Sequence, residues 1–289
     1  MYLCDKYRPI SFDDLIGQDD VKNYFKNVIK SIKENSDDFA KNYILYGESG
    51  VGKTSFVNVF SKELGAKLYF FDVSLLGNVD DFKNIRQLIN EKLIFSRDYV
   101  VVCFDEMQEA SNVAQSLLLN ILEDNVGVRI LYFFTTTNID KILDTIRTRC
   151  IEFMFYNISD DDMKNYLVNV CGKENINIDE NMLKKIIKFS GGSLRKALNF
   201  LDIYRMGKNL GLFDIDFFKI DYNELYKYPF VYLRMLLDVY MLDWFEKNYN
   251  VNFILCMKVL EIYYKFRNFI KNVDELILLL KIINKLLCK

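Results

Sequence analysis

One segment restricts the possible folds of this 289-residue chain more than any other: Gly47-Glu48-Ser49-Gly50-Val51-Gly52-Lys53-Thr54. It meets the pattern G-x-x-x-x-G-K-S/T in full. It follows the apolar run Asn42–Tyr46 and precedes a helical pattern over Thr54–Leu64, the strand–loop–helix context that the pattern requires. Glycines let the backbone curl until its amide groups point inward around phosphate oxygens. The helix N-terminus adds partial positive charge. The segment therefore predicts a phosphate loop for ATP, with residues Gly47 to Thr54 and Ser55 around the nucleotide. Lys53 is expected to reach the β- and γ-phosphates, and the Thr54 hydroxyl to ligate Mg²⁺. A chance glycine-rich turn is the bland alternative, and the flanking strand and helix argue against it.

Up to about residue 155, further apolar runs alternate with segments of 3.6-residue periodicity such as Val113–Leu122. The runs are Lys67–Val73, Tyr99–Phe104, Ile130–Thr136 and Ile151–Phe155. They lack strict polar–apolar alternation, as strands buried on both faces do. The pattern predicts an α/β domain, a five-stranded parallel sheet covered by helices on both sides. Val100–Phe104 delivers Asp105 and Glu106 at a strand's C-terminal end, where ligands sit in open α/β sheets. Asp105 is expected to hold Mg²⁺ through water, and Glu106 to orient and polarise an attacking water. Two adjacent acids also fit a solvated turn, a reading that the preceding phosphate loop weakens. Leu131–Thr137 leads to Asn138, which could donate a hydrogen bond to the γ-phosphate or the water; an ordinary strand-end turn fits as well.

After residue 156 the strand signals stop. Ser159 followed by Asp160, Asp161 and Asp162 opens a helix. Asn181–Ser190 is a second helix, Gly191-Gly192 a break, and Ser193–Tyr204 a third. A weak boundary falls at Gly207–Gly211, and the remainder is helical and apolar with the single Trp244. Three parts are expected: a nucleotide-binding domain over 1–155, a small helical lid over 156–210 and a helical domain over 211–289. The chain has no histidine, which removes His bases and His metal ligands. Its six cysteines are far apart, so neither a zinc site nor a redox pair is indicated; Cys103, in an apolar run, reads as a core residue. With a net charge of −2, any contact with DNA must use a local patch or be made within an assembly. The start lacks a signal-peptide pattern, and the apolar stretch Glu275–Cys288 is interrupted by Lys281, Asn284 and Lys285. A soluble, non-secreted protein, cytoplasmic or at a site of viral or nuclear DNA replication, is expected.

The opening Lys6-Tyr7-Arg8-Pro9-Ile10-Ser11-Phe12-Asp13-Asp14-Leu15-Ile16-Gly17-Gln18 resembles the box K-(Y/W)-R-P-x-x-F-x-(D/E)-(L/I/V)-(V/I)-G-Q of AAA+ clamp-loader ATPases. That family comprises the small subunits of replication factor C and the bacterial gamma/tau subunit. Ala114–Glu123 is similar to the family helix A-Q-x-A-L-x-x-x-(L/M)-E. Ile146-Arg147-Thr148-Arg149-Cys150 is similar to I-x-S-R-C, and Gly192–Leu198 to G-S-L-R-(D/K)-A-L. The resemblance covers residues 6 to about 204. It departs at Thr148, which stands for the usual serine, and at Leu118-Leu119, where replication factor C commonly has two arginines. The bacterial zinc-binding cysteines are absent. These mixed features suggest a viral or divergent cellular member.

The resemblance implies that Tyr7, Arg8, Pro9 and Ile16 pack around the adenine. It implies that Arg195 of the lid touches the γ-phosphate and that Arg149 enters a neighbouring subunit's site as a finger. Arg86, within Val79–Leu88, sits where the family often places an arginine against DNA, although a solvated helix arginine fits equally. The implied cofactors are ATP and Mg²⁺. The implied partners are a sliding clamp, primer–template DNA and other loader subunits in a five-subunit arc, with residues 211–289 as the oligomerisation collar. The implied activity is Mg-dependent ATP hydrolysis, with ATP opening and loading the clamp and hydrolysis releasing it. Two alternatives remain at this point. One is another AAA+ DNA-remodelling ATPase of the branch-migration or helicase-loader type, for which a C-terminal winged helix is expected. The other is a non-hydrolysing subunit of the same arc, which Lys53, Thr54, Asp105 and Glu106 argue against.

Overall fold

A computed structural model describes residues 2–76, 79–89, 98–123, 129–207, 253–267 and 270–287, together with residues 233, 237, 240, 241, 244, 245 and 248. The chain divides into two compact units, residues 1–198 and 199–289.

The first unit is built on five parallel strands: β1 (Asn42–Tyr46), β2 (Lys67–Asp72), β3 (Val100–Asp105), β4 (Ile130–Thr136) and β5 (Ile151–Met154). Their order across the sheet is β2-β3-β4-β1-β5. Strands β1, β3 and β4 are central, and their residues are almost wholly buried. Alternation does exist in them, but both phases are apolar. Tyr43, Leu45, Val101, Cys103, Leu131 and Phe133 enter one core; Ile44, Val102, Phe104, Ile130, Tyr132 and Phe134 enter the other. That is the pattern of a sheet covered twice.

Helices α1 (Leu3–Lys6), α2 (Asp19–Lys33) and α3 (Lys53–Leu64) lie on the N-terminal side of the sequence. Helix α2 buries Val21, Phe25, Val28 and Ile29, the i, i+4, i+7, i+8 stripe that marks it in the sequence. Phe25 is the hub of the aromatic core under α2 and α3. Its ring centroid lies 4.8 Å from Tyr43, 5.1 Å from Phe56, 5.1 Å from Phe60 and 5.5 Å from Phe133. The opposite core is supplied by Phe82 and Ile85 of α4 (Val79–Leu88) and by Leu118, Ile121 and Leu122 of α5 (Asn112–Glu123). Leu118, at the first position where a double arginine is common in replication factor C, is fully buried and belongs to this core.

The short helix α6 (Asp144–Arg147) precedes β5, and α7 (Asp160–Glu174), α8 (Glu180–Ser190) and α9 (Leu194–Gly207) follow it. The Ser159 side chain accepts from the Asp162 amide and Asp179 accepts from the Met182 amide, so both helices begin on side-chain caps. Element ends shift by up to three residues from the sequence expectation: α3 starts at Lys53, β3 includes Asp105, β5 stops at Met154 and α9 runs on to Gly207.

In the second unit, helices Phe253–Arg267 and Val273–Leu287 bury Val259, Tyr263, Leu276, Leu279, Leu280 and Ile283 together with Ile203, Leu233, Leu237 and Met241. Trp244 is partly buried against them. Most of the expected Gly207–Gly211 boundary, and the side chains of Cys256 and Cys288, lie outside the described residues. Among the described residues no helix is long and apolar enough to cross a membrane.

Candidate active site

The turn between β1 and α3 carries three glycines at positive φ: Gly47 (+148°), Gly50 (+84°) and Gly52 (+103°). Two of them are also places of close approach. A Cβ on Gly47 would lie 2.3 Å from the Phe155 carbonyl oxygen, and one on Gly50 would lie 2.2 Å from Ser193 Oγ. The second contact brings the loop against the start of α9. Lys53 is buried, and its Nζ donates to the carbonyl oxygens of Gly47 and Glu48, both at 2.8 Å. Burial pushes its amine below the ordinary lysine value, against the pull of Glu106 and Asp105.

Asp105 ends β3, and its Oδ1 accepts from the Thr54 hydroxyl at 2.8 Å and also from the Thr135 hydroxyl of β4. These hard oxygens at the C-terminal sheet edge suit Mg²⁺ held largely by water and phosphate. Glu106 is one residue further and adopts φ +55°. A non-glycine residue there is uncommon and fits a side chain being aimed rather than merely solvated. The Glu106 amide donates to Thr135 Oγ1 at 3.3 Å, and Gln108 Nε2 donates to Glu106 Oε2. Gln108 Oε1 in turn accepts from the Thr136 hydroxyl at 2.8 Å and from the Thr137 amide at 3.2 Å. Gln108 and Thr135 escaped the sequence reading, because neither position is special until β3 and β4 are paired.

A cleft of roughly 870 Å³, counting the part open to solvent, brings most of the expected residues together. Ser49, Gly50, Val51, Gly52, Lys53, Thr54 and Ser55 form its floor, Tyr7, Arg8, Pro9 and Ile16 one wall, and Leu194, Arg195 and Leu198 of α9 another. Glu106 also lines it, as do Cys4, Ile158 and Tyr166, which were not anticipated. The arm wall is pinned by hydrogen bonds: Asp14 Oδ2 accepts from the Ile10 amide (3.1 Å), the Ser11 amide (2.9 Å) and the Ser11 hydroxyl (2.8 Å). These bonds hold its carboxyl below the usual carboxylate range. Gln18 clamps the backbone after β5, donating to the Tyr156 carbonyl at 2.7 Å and accepting from the Tyr156 amide at 3.2 Å.

Six expected residues do not line this cleft: Gly47, Glu48, Arg86, Asp105, Asn138 and Arg149. Asn138 is exposed, and its Oδ1 accepts from the Asp140 amide at 3.0 Å, capping a short turn. Arg149 is exposed beyond α6, with Nη1 donating to the Thr145 carbonyl at 2.7 Å. Its neighbour Arg147 is instead tied to Glu152 by contacts of 2.8 and 3.3 Å. Arg86 is half-buried on α4. The carbonyls of Gly47 and Glu48 accept from Lys53 Nζ, and Asp105 accepts from the Thr54 hydroxyl, so these three adjoin the floor through its residues.

A doubly covered parallel sheet of order β2-β3-β4-β1-β5, with this loop after β1, acids after β3 and a helical lid, defines a P-loop nucleotide-binding fold of the AAA+ class. Residues 43–157 match the ATPase family associated with various cellular activities (AAA), and residues 165–206 match the RCF1/5-like AAA+ ATPase lid domain. The chain therefore contains an AAA ATPase domain followed by a lid of that type. It is 28% identical to DNA polymerase III subunit gamma/tau of Mycoplasma pneumoniae, over 74% of this chain and 34% of the relative. It is 27% identical to replication factor C subunit 5 of Mus musculus, over 70% of this chain and 60% of the relative. The chain thus spans between about a third and three-fifths of the length of these relatives. Among solved structures, the Thermotoga maritima RuvB Holliday junction branch migration motor shares the fold with a TM-score of 0.59 at 20% identity, covering 71% of this chain and 67% of that one.

Proposed function

We propose that this chain is an ATP-hydrolysing subunit of a DNA polymerase sliding-clamp loader. One observation supports the nucleotide reading above all: the arm residues Tyr7, Arg8, Pro9 and Ile16, the phosphate loop and Arg195 line a single cleft. The RCF1/5-like lid and the gamma/tau and replication factor C relatives support the loader class.

In this reading the arm packs on the adenine, and the loop amides with Lys53 hold the phosphates. Thr54 and Asp105 would hold Mg²⁺, which supplies charge neutralisation between the phosphates when bound. Glu106 takes the proton side of the work by orienting and polarising the attacking water. Arg195 contacts the γ-phosphate from the lid. Arg149, on the exposed side of α6, serves a neighbouring subunit's nucleotide, so full turnover needs an assembly. Asn138 is assigned to the γ-phosphate or water, and Arg86 weakly to the DNA backbone. The three-part division into 1–155, 156–210 and a collar over 211–289 belongs to the same reading. So do the sliding clamp, primer–template DNA and a five-subunit arc.

The test is steady-state ATP hydrolysis by the purified chain, alone and with primer–template DNA, a ring-shaped clamp and companion subunits. Stimulation by DNA and clamp is expected. Lys53→Ala should weaken nucleotide binding and abolish turnover, because the loop loses its phosphate-directed cation. Unchanged hydrolysis in that variant would sink the assignment.

A further inference from the structure

The N-terminal arm is tied at both ends. Phe12 and Leu15 enter the core under α2 and α3. The other end is tied to α7, through Glu174. Its carboxylate oxygen Oε1 accepts from the Tyr7 hydroxyl at 2.6 Å and pairs with Lys6 Nζ at 2.6 Å. The Tyr166 hydroxyl of α7 adds a 3.4 Å bond to the Tyr7 carbonyl. Between the two anchors run Arg8 and Pro9, which line the cleft.

Glu174 is an unfavourable residue where it stands. It is the last residue of α7, at the negative end of the helix dipole, where a carboxylate is opposed rather than helped. Its side chain is only 10% exposed, so little water compensates it. The arm supplies it with one cation and one hydroxyl donor. Such charge-assisted bonds are stronger than neutral ones. The pairing also leaves a mark on Tyr7: burial, followed by the Glu174 bond, raises its phenol to about 12.

We propose that Glu174 is a positioning residue for the nucleotide site: it fastens the arm to α7, so that the base-facing wall of the cleft is set by the lid. This rests on the nucleotide reading of the cleft. Glu174 does not line the cleft that holds the phosphate loop and Glu106, so its loss should act on nucleotide affinity and leave the hydrolytic step alone.

The experiment uses the full chain and a fluorescent ADP analogue. Wild type, Glu174→Ala, Glu174→Gln and the charge-swapped pair Lys6→Glu with Glu174→Lys are compared for Kd and for kcat at saturating ATP. The alkylation rate of Cys4, which lines the same wall, is followed without nucleotide. Glu174→Ala should raise Kd about tenfold, keep kcat within about twofold and speed Cys4 alkylation by a similar tenfold factor. Glu174→Gln, which keeps an acceptor for Tyr7, should fall between, and the swapped pair should recover most of the affinity. Wild-type Kd and Cys4 rate in Glu174→Ala and Glu174→Gln overturn the inference alone. So does a kcat loss matching the loss of affinity, which marks a general structural role. Absence of nucleotide binding by wild type overturns the underlying reading, and this inference with it.

Discussion

Replacing Gln115 by leucine tests how the site is braced. Gln115 is a fully buried polar residue on α5. Its Nε2 donates to the carbonyls of Ala110 (3.2 Å) and Lys141 (2.9 Å), and its Oε1 accepts from the Leu143 amide at 2.9 Å. One side chain thus joins the segment after Glu106 to the segment that leads into α6 and Arg149. Leucine has similar volume and no polar atoms, so Gln115→Leu removes three bonds and orphans three backbone groups. At a net ~1 kcal/mol per bond the loss is about 3 kcal/mol. The sum stays at the lower bound because Lys141 is exposed and water reaches its carbonyl more easily. A loss of that size lowers the melting temperature of the unit by roughly 6–12 °C, at about 2–4 °C per kcal/mol. Differential scanning calorimetry, read on the transition of the first unit, measures it. A drop below about 2 °C would refute the claim that these three bonds carry net stability. Nucleotide affinity of the surviving folded protein should stay near wild type, since Gln115 does not line the cleft.

Other outcomes follow from the same geometry. Glu106→Gln should bind ATP with near wild-type affinity but hydrolyse it at least about a hundredfold more slowly, the scale of a lost general base; failure to bind ATP in an equilibrium assay would show a structural role instead. Gln108→Ala should leave nucleotide Kd unchanged and alter kcat, because its amide meets the Glu106 carboxylate and not the loop; an unchanged kcat refutes a positioning role. Arg149→Ala should leave ATP binding by an isolated subunit unchanged and cut DNA- and clamp-stimulated hydrolysis at least roughly tenfold. Mixed with Lys53→Ala subunits, which keep their own Arg149, it should regain activity, and no recovery in assemblies shown to form counts against a role in trans. Below about pH 4, protonation of Asp14 should loosen the arm turn. Its folded pKa is depressed, so its contribution is present above the ordinary carboxylate value and is lost as pH falls through the lower folded one; circular dichroism melts of Asp14→Asn should lack that part of the acid sensitivity.

The phosphate loop, the acids after β3 and the strand runs were legible in the sequence because each is a local event. Glycine at Gly47, Gly50 and Gly52 is demanded by backbone angles within the loop itself. Strands buried on both faces declare themselves as unbroken apolar runs. What only the tertiary structure decided depends on residues far apart in the chain. Strand order brings Thr135 and Thr136 of β4 next to Asp105 and Glu106, and so gives Gln108 its partners. The packing of α9 on the loop explains why Gly50 needs room as well as a positive φ. Of the two arginines flanking Thr148, the motif resemblance singles out Arg149, but only the fold shows that Glu152 on β5 holds Arg147 while Arg149 stands exposed. Glu174 looks like an ordinary acid at a helix end until the arm folds back, 167 residues away in sequence, and places Tyr7 against it. Local conformational demands are written in the order of residues, whereas a side chain's partner is fixed only when the sheet and its helices close around it.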